Sequence, residues 1–245
     1  DDLSYEKGAA KRCETLGVKY EKYILSADCT QEELMDTMKQ LNEDDSIHGI
    51  LMFRPLPKHL NEAAVVEAMN PAKDIDGITA RSMAGVFMGT KQGFAPCTAQ
   101  ACMEILDYYG VDCTGKKAVV VGRSLVVGKP VAMMLLGKNA TVTVCHTRTV
   151  DMPSVVKEAD IVIVAAGRAG VVDGNYLSPG QIVIDVGINV NEEGKLCGDV
   201  LFEEAEPIVD MITPVPGGVG SVTTSVLVGH VVEAAERSAK SKRTI

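Results

Sequence analysis

Four short apolar runs constrain this chain more than any other feature: KAVVVG (117–122), TVTVC (141–145), DIVIVAAG (160–167) and QIVIDVG (181–187). Each has the length of one strand and is read as buried on both faces. Helical patterns at 128–137 and near 153–158 separate the first three. Strands alternating with helices predict a parallel sheet covered on both sides.

The first hundred residues alternate as well. Ser4 to Leu16 reads as a helix closed by Gly17, and VKYEKYIL (18–25) as a strand. Thr30-Gln-Glu-Glu33 is a capping box before LMDTMKQLN. HGILMFRPLP (48–57) reads as a buried strand ending at Pro55, and residues 60–69 as a helix. Residues 70–96 show no strong period and hold several glycines; unstructured stretches of that length in a compact domain are usually functional. A helix at 98–109 follows, and another from about 222 to 237 comes after ITPVPGGVGSV. The fold class expected is α/β with two domains. An N-terminal α/β domain covers 1–97, and a Rossmann-type dinucleotide-binding domain with a parallel sheet covers 98–212. Residues 213–245 return to the first domain, with a cleft between the two.

Composition narrows the function. With 245 residues, 46% hydrophobic and 23% charged, the chain reads as globular, and no apolar run approaches the ~18 residues of a membrane span. The opening, DDLSYEKGAAKRCETLG, has no signal-peptide pattern; it lacks an initiator Met, so a longer native N-terminus is expected. A formal net charge of −9 argues against a nucleic-acid partner. The seven cysteines include no C-x-x-C, and the four histidines lack metal-ligand spacing. No disulfide framework and no metal site are expected, and reduced thiols fit a cytoplasmic location.

The loop GRSLVVGKP (122–130) joins the first apolar run to a helix, where backbone N–H groups meet an anion. Gly122 and Gly128 are off the usual G-x-G-x-x-G spacing, so a plain tight turn stays open beside a phosphate site. The second apolar run ends at Cys145, where an acidic residue would select a free ribose hydroxyl. His146, Thr147, Arg148 and Thr149 stand there instead. With Arg123, they suit a 2′-phosphate and favour NADP, although Arg148 also fits a surface role. NAD stays open, because such an arginine can be adapted to inorganic phosphate.

Taken together, PAKDIDGI (71–78), PCTA (96–99), VVVGRSLVVGKP (119–130), NATVTVCHTRT (139–149), VIDVGIN (183–189), GDV (198–200) and ITPVPGGVG (212–220) resemble one family, in its order. It is the bifunctional methylenetetrahydrofolate dehydrogenase/methenyltetrahydrofolate cyclohydrolase family. The resemblance implies oxidation of 5,10-methylenetetrahydrofolate by hydride transfer to NADP, tetrahydrofolate derivatives as ligands, and a homodimer. It places Gly122, Arg123, Ser124, Thr147 and Arg148 at the cofactor phosphates and the Ile188 backbone at the nicotinamide. Tyr5 is implied to stack on the folate and Asp76 to hold the pterin. Phe53 and the loop Pro216, Gly217, Gly218, Val219, Gly220 line the folate side. By their own chemistry, Asp76 can accept two parallel pterin N–H groups, and glycines allow close approach to a flat ligand. An Asp-Gly turn, a plain loop and a packed tyrosine are the simpler readings of the same residues.

Two positions depart from the family pattern. The family lysine falls four residues after the tyrosine, and here that residue is Ala9. The family glutamine falls at Phe53, before Arg54 and Pro55. Lys11 would meet the lysine position, as a catalytic candidate, only with a two-residue gap inside the helix, which rotates later side chains by about 200°. Both departures touch proton transfer for the hydrolytic step. The expectation is a dehydrogenase with weak or absent cyclohydrolase activity. A fully bifunctional enzyme and a catalytically silent folate- or nucleotide-binding module are the alternatives.

Overall fold

The structure is a computed structural model and describes residues 2–243. It divides into two compact units, residues 1–97 with 224–245, and residues 98–223.

The first unit is built on helices α1 (Asp2–Thr15), α2 (Gln31–Glu43), α3 (Glu62–Ala68) and α4 (Ala80–Met88). The α2 capping box forms: Glu33 N–H donates to Thr30 Oγ1 at 3.1 Å, and Thr30 N–H to the Glu33 carboxylate at 2.7 Å. Met38, Ile50, Val65 and Met69 form a small core under α2 and α3. Helix α4 lies in the stretch that showed no sequence period. Thr79 caps it by accepting from Ser82 N–H at 3.2 Å, and Gly89, at φ +65°, closes it.

Neither strand expected in this unit forms. Residues 18–25 carry no ladder, and Ile24 is 85% exposed. In 48–57 only Ile50 pairs, in a single bridge with Asp74. Strand propensity needs a neighbouring edge to become a strand, and among the described residues neither segment has one.

The second unit runs from α5 (Cys97–Tyr108) through β1 (Lys117–Val121), α6 (Gly128–Gly137), β2 (Thr141–Cys145), α7 (Met152–Lys157), β3 (Ile161–Val164) and β4 (Ile182–Asp185). A hairpin of two-residue strands, β5 (Asn189–Val190) with β6 (Leu196–Cys197), then α8 (Phe202–Ala205), β7 (Met211–Ile212) and the first turn of α9 (Val219–Arg243) complete it. The parallel sheet has the order β2-β1-β3-β4-β7. That is a doubly wound order, which places a ligand crevice at the carboxyl ends of β1 and β3. Val119, Val121, Val162, Val164 and Val183 fill the core. The TVTVC run differs from expectation: β2 is the sheet edge, and only Cys145 in it is buried. An edge strand keeps a wet face, which Thr141 and Thr143 serve. From Thr224 on, α9 groups with the first unit.

All seven cysteines are free thiols. No helix among the described residues is long and apolar enough to cross a membrane.

Candidate active site

In the first unit, two carboxylates flank Ile75 and do different work. Asp74 is fully buried. It accepts from Ile78 N–H at 2.9 Å, Thr79 N–H at 2.8 Å and the Ser82 hydroxyl at 2.6 Å, which fixes the turn and the start of α4. Gly77 sits at φ +67°, and a Cβ there would lie 2.5 Å from the Pro96 nitrogen, so the turn needs glycine. The Ile75 carbonyl accepts from the Cys97 thiol at 3.1 Å and lies 2.8 Å from His230 Nδ1.

Asp76 is half-buried beside this frame. Burial pushes its carboxyl up and Asp74's charge adds to that, while hydrogen bonding from Cys97 and the charge of Arg54 work against it. Burial likewise pushes the Tyr5 hydroxyl up, with the charges of Asp76 and Cys97 next. Tyr5 meets Phe53 edge to face, with centroids 6.4 Å apart at 80°. The structure therefore brings Tyr5, Phe53 and Asp76 together. On α1, Ala9 is 2% exposed and lies one turn from half-buried Tyr5, whereas Lys11 is exposed. Six residues separate Tyr5 from Lys11, which puts them on different faces of the helix. Lys11 lines a surface hollow with Lys7, Ala10, Glu14, Val18 and Tyr20, and the structure does not bring it to Asp76.

In the second unit, Val121 pairs with Cys145 and with Val164, so the turns that follow leave the sheet side by side. Gly122, at φ +129°, donates its N–H to the Cys145 carbonyl at 2.9 Å. A Cβ at Gly122 would collide with the Ala165 carbonyl, and one at Gly128 with the Gly122 carbonyl. Both glycines are therefore required by close backbone approach, despite their spacing. Ser124 Oγ accepts from Val127 N–H at 3.1 Å and Gly128 N–H at 3.4 Å, capping α6 from outside the helix. Arg123, Thr147 and Arg148 are exposed at the same sheet end. The 146–149 turn is internally tied: His146 N–H donates to Thr149 Oγ1 at 2.8 Å and Arg148 N–H to His146 Nδ1 at 3.1 Å.

Two further carboxylates brace the rest of that edge. Asp199 is fully buried and accepts from Ala166, Gly167 and Arg168 N–H at 2.6, 2.8 and 3.0 Å, and from Asn189 Nδ2 at 2.9 Å. Asp185 accepts from Gly187, Asp199 and Val200 N–H at 2.9, 3.0 and 2.9 Å. Burial pushes the Asp185 carboxyl up to about 6. Ile188 is exposed just beyond, and a Cβ on Gly220 would lie 3.5 Å from its Cδ1. Of the loop 216–220, Val219 is buried, Gly218 is packed against the Pro214 carbonyl, and Gly217 is open at φ +99°.

Comparison with known proteins bears directly on this arrangement. The tetrahydrofolate dehydrogenase/cyclohydrolase catalytic-domain family model matches residues 1–76, and the NAD(P)-binding-domain model of the same family matches residues 96–239. The chain belongs to the tetrahydrofolate dehydrogenase/cyclohydrolase family. It is a methylenetetrahydrofolate dehydrogenase with an NAD(P)-binding domain. The bifunctional protein FolD of Clostridioides difficile is 54% identical over 96% of this chain and 82% of its own length. The crystal structure of the bifunctional FolD enzyme of Campylobacter jejuni superimposes with a TM-score of 0.93 at 42% identity, covering 96% of this chain and 83% of that one. The Trypanosoma brucei enzyme, solved with NADP and an inhibitor, gives 0.91 at 36% identity over 97% and 83%.

Within this family member, sequence reasoning missed Asp74, Cys97, His230, Asp185 and Asp199. Their signal was thin: Asp74 stands two residues from Asp76, Cys97 lies in PCTA, and Asp199 lies in GDV. Asp185 lies in VIDVGIN, and nothing in spacing marks His230.

Proposed function

We propose that the enzyme oxidises 5,10-methylenetetrahydrofolate to the 5,10-methenyl cation with NADP, and that its cyclohydrolase activity is weak or absent. When bound, the nicotinamide supplies the hydride acceptor. The residues fit such a cofactor: Gly122 and Gly128 leave room at the turn, and Arg123 and Arg148 offer exposed cations at adjacent strand ends. Thr147 and Ser124 add hydroxyls, and the Ile188 backbone lies where β4 ends. On the folate side, Asp76 accepts the parallel N–H donors of the pterin, while Tyr5 and Phe53 present aromatic edges and faces. Oxidation asks little acid–base chemistry of the protein, because the folate N5 lone pair stabilises the forming cation. Orientation and exclusion of water are what the side chains provide.

Hydrolysis of that cation needs a proton carrier. The observation that carries the proposal is Ala9, buried on the Tyr5 side of α1 where the family places its lysine, with Phe53 at the glutamine position. Arg54 stands nearby, paired with Glu62 at 3.4 Å, but a guanidinium does not act as a base at neutral pH. The relatives named above are called bifunctional, and that favours a second reading in which both activities persist. A homodimer in the cytoplasm completes the proposal.

Paired assays on one preparation, with NADP and NAD in competition, test it. Dehydrogenase turnover should exceed cyclohydrolase turnover above buffer by at least about 100-fold, the usual worth of a lost proton carrier. Comparable rates would establish the second reading. Ala9→Lys combined with Phe53→Gln should raise hydrolysis.

A further inference from the structure

We infer that His230 is a positioning residue for Asp76, the carboxylate proposed to hold the pterin, acting through the Ile75 carbonyl. This rests on the folate reading of Asp76 given above and extends it to a side chain from the far end of the chain. A carbonyl only accepts, so the 2.8 Å contact fixes the tautomer: Nδ1 carries the proton and donates to Ile75. The Cys97 thiol donates to the same oxygen at 3.1 Å and lies 3.6 Å from Nδ1, so the carbonyl has two donors, one strong and one weak. Ile75 is the residue before Asp76. Holding its carbonyl sets the peptide plane from which Asp76 departs, while Asp74 anchors the turn from the other side.

The imidazole is itself held. It stacks on Phe94, with centroids 4.9 Å apart at 36°. The Arg237 guanidinium lies over the same Phe94 ring, 4.3 Å from its centre, and donates to the Gly93 carbonyl at 2.8 Å. Burial keeps the imidazole below its ordinary pKa, which suits a neutral single donor.

Two variants separate the donor from the ring. H230F keeps a ring against Phe94 and loses the donor. H230N loses the ring and keeps an N–H at the Nδ1 position. With H230F, the KM for methylenetetrahydrofolate should rise about tenfold, the worth of one buried hydrogen bond, while kcat changes less than about threefold. The KM for NADP should not move. H230N should stay within about twofold of wild type in all three constants. The inference is overturned if H230F leaves the folate KM unchanged, if folate and NADP constants rise together, or if H230N is the worse variant. Should H230F fail to fold, H230N decides alone: a folate KM more than about fivefold above wild type overturns the inference. Wild-type protein that does not oxidise methylenetetrahydrofolate would instead overturn the function proposed above.

Discussion

In the second unit, Arg123, Ser124, Thr147 and Arg148 stand where β1 and β2 end, and the pairing of Val121 with Cys145 sets them side by side. In the first unit Asp76 follows a turn that, among the described residues, has no ladder around it, only the single bridge from Ile50 to Asp74. Its place is set by side chains instead: the Asp74 carboxylate on one side, Cys97 and His230 on the other. A sheet distributes positional accuracy over many equivalent backbone bonds. A polar turn concentrates it in a few buried groups, each expensive to lose.

Asp74→Ala should have the largest effect. It strands two backbone N–H groups and a hydroxyl in a buried place, at about 4 kcal/mol of unfolding free energy. Denaturant titration reads the loss. Wild-type stability in D74A would mean that the first unit spreads its support as the second does.

Arg148→Ala should be milder, because the sheet end survives it. The KM for NADP should rise roughly ten- to a hundredfold and that for NAD little, as one charge-assisted contact is removed. Equal effects on the two cofactors would detach Arg148 from the 2′-phosphate.

The smallest effect is a pH dependence in the second unit. The Asp185 carboxyl titrates near 6 when folded, above its ordinary 3.8. The folded state therefore holds a proton that the unfolded chain has released, and this contribution is complete below 3.8 and lost as pH rises through 6. Acidifying from pH 7 to pH 5 should add about 1 kcal/mol to stability. Asp185→Asn should remove that gain. In the first unit burial raises Asp76 and lowers His230, so their contributions to stability change with pH in opposite senses.

The sequence made one unit far more legible than the other. Runs such as KAVVVG and DIVIVAAG carry their own length limits and can only be buried strands, so β1 and β3 were readable to within a few residues. Helix α4 was not, because it is short, Gly85 lies inside it and the exposed Phe87 and Met88 blur its apolar face, although Thr79 and Gly89 were available as caps. VKYEKYIL shows the reverse error: strand propensity was visible, the missing partner edge was not. Tyr5, Phe53 and Asp76 were singled out through motif resemblance, and the structure places Tyr5 against Phe53 and within reach of the Asp76 charge. Asp185 and Asp199 stood inside VIDVGIN and GDV without showing their bracing role, and His230 carried no signal, because that role lies in which amides and carbonyls the fold gathers around each side chain, and no spacing rule encodes it.

Ser124 illustrates how such a commitment tunes selectivity. Its oxygen already receives two amide protons from the start of α6, which leaves the hydroxyl hydrogen as what it has to give. An oxygen-rich visitor finds a donor there, while an ammonium or amide N–H finds the lone pairs taken. One side chain thus stabilises the helix and, by the same bonds, acts as a one-way valve for the polarity of whatever settles on the turn.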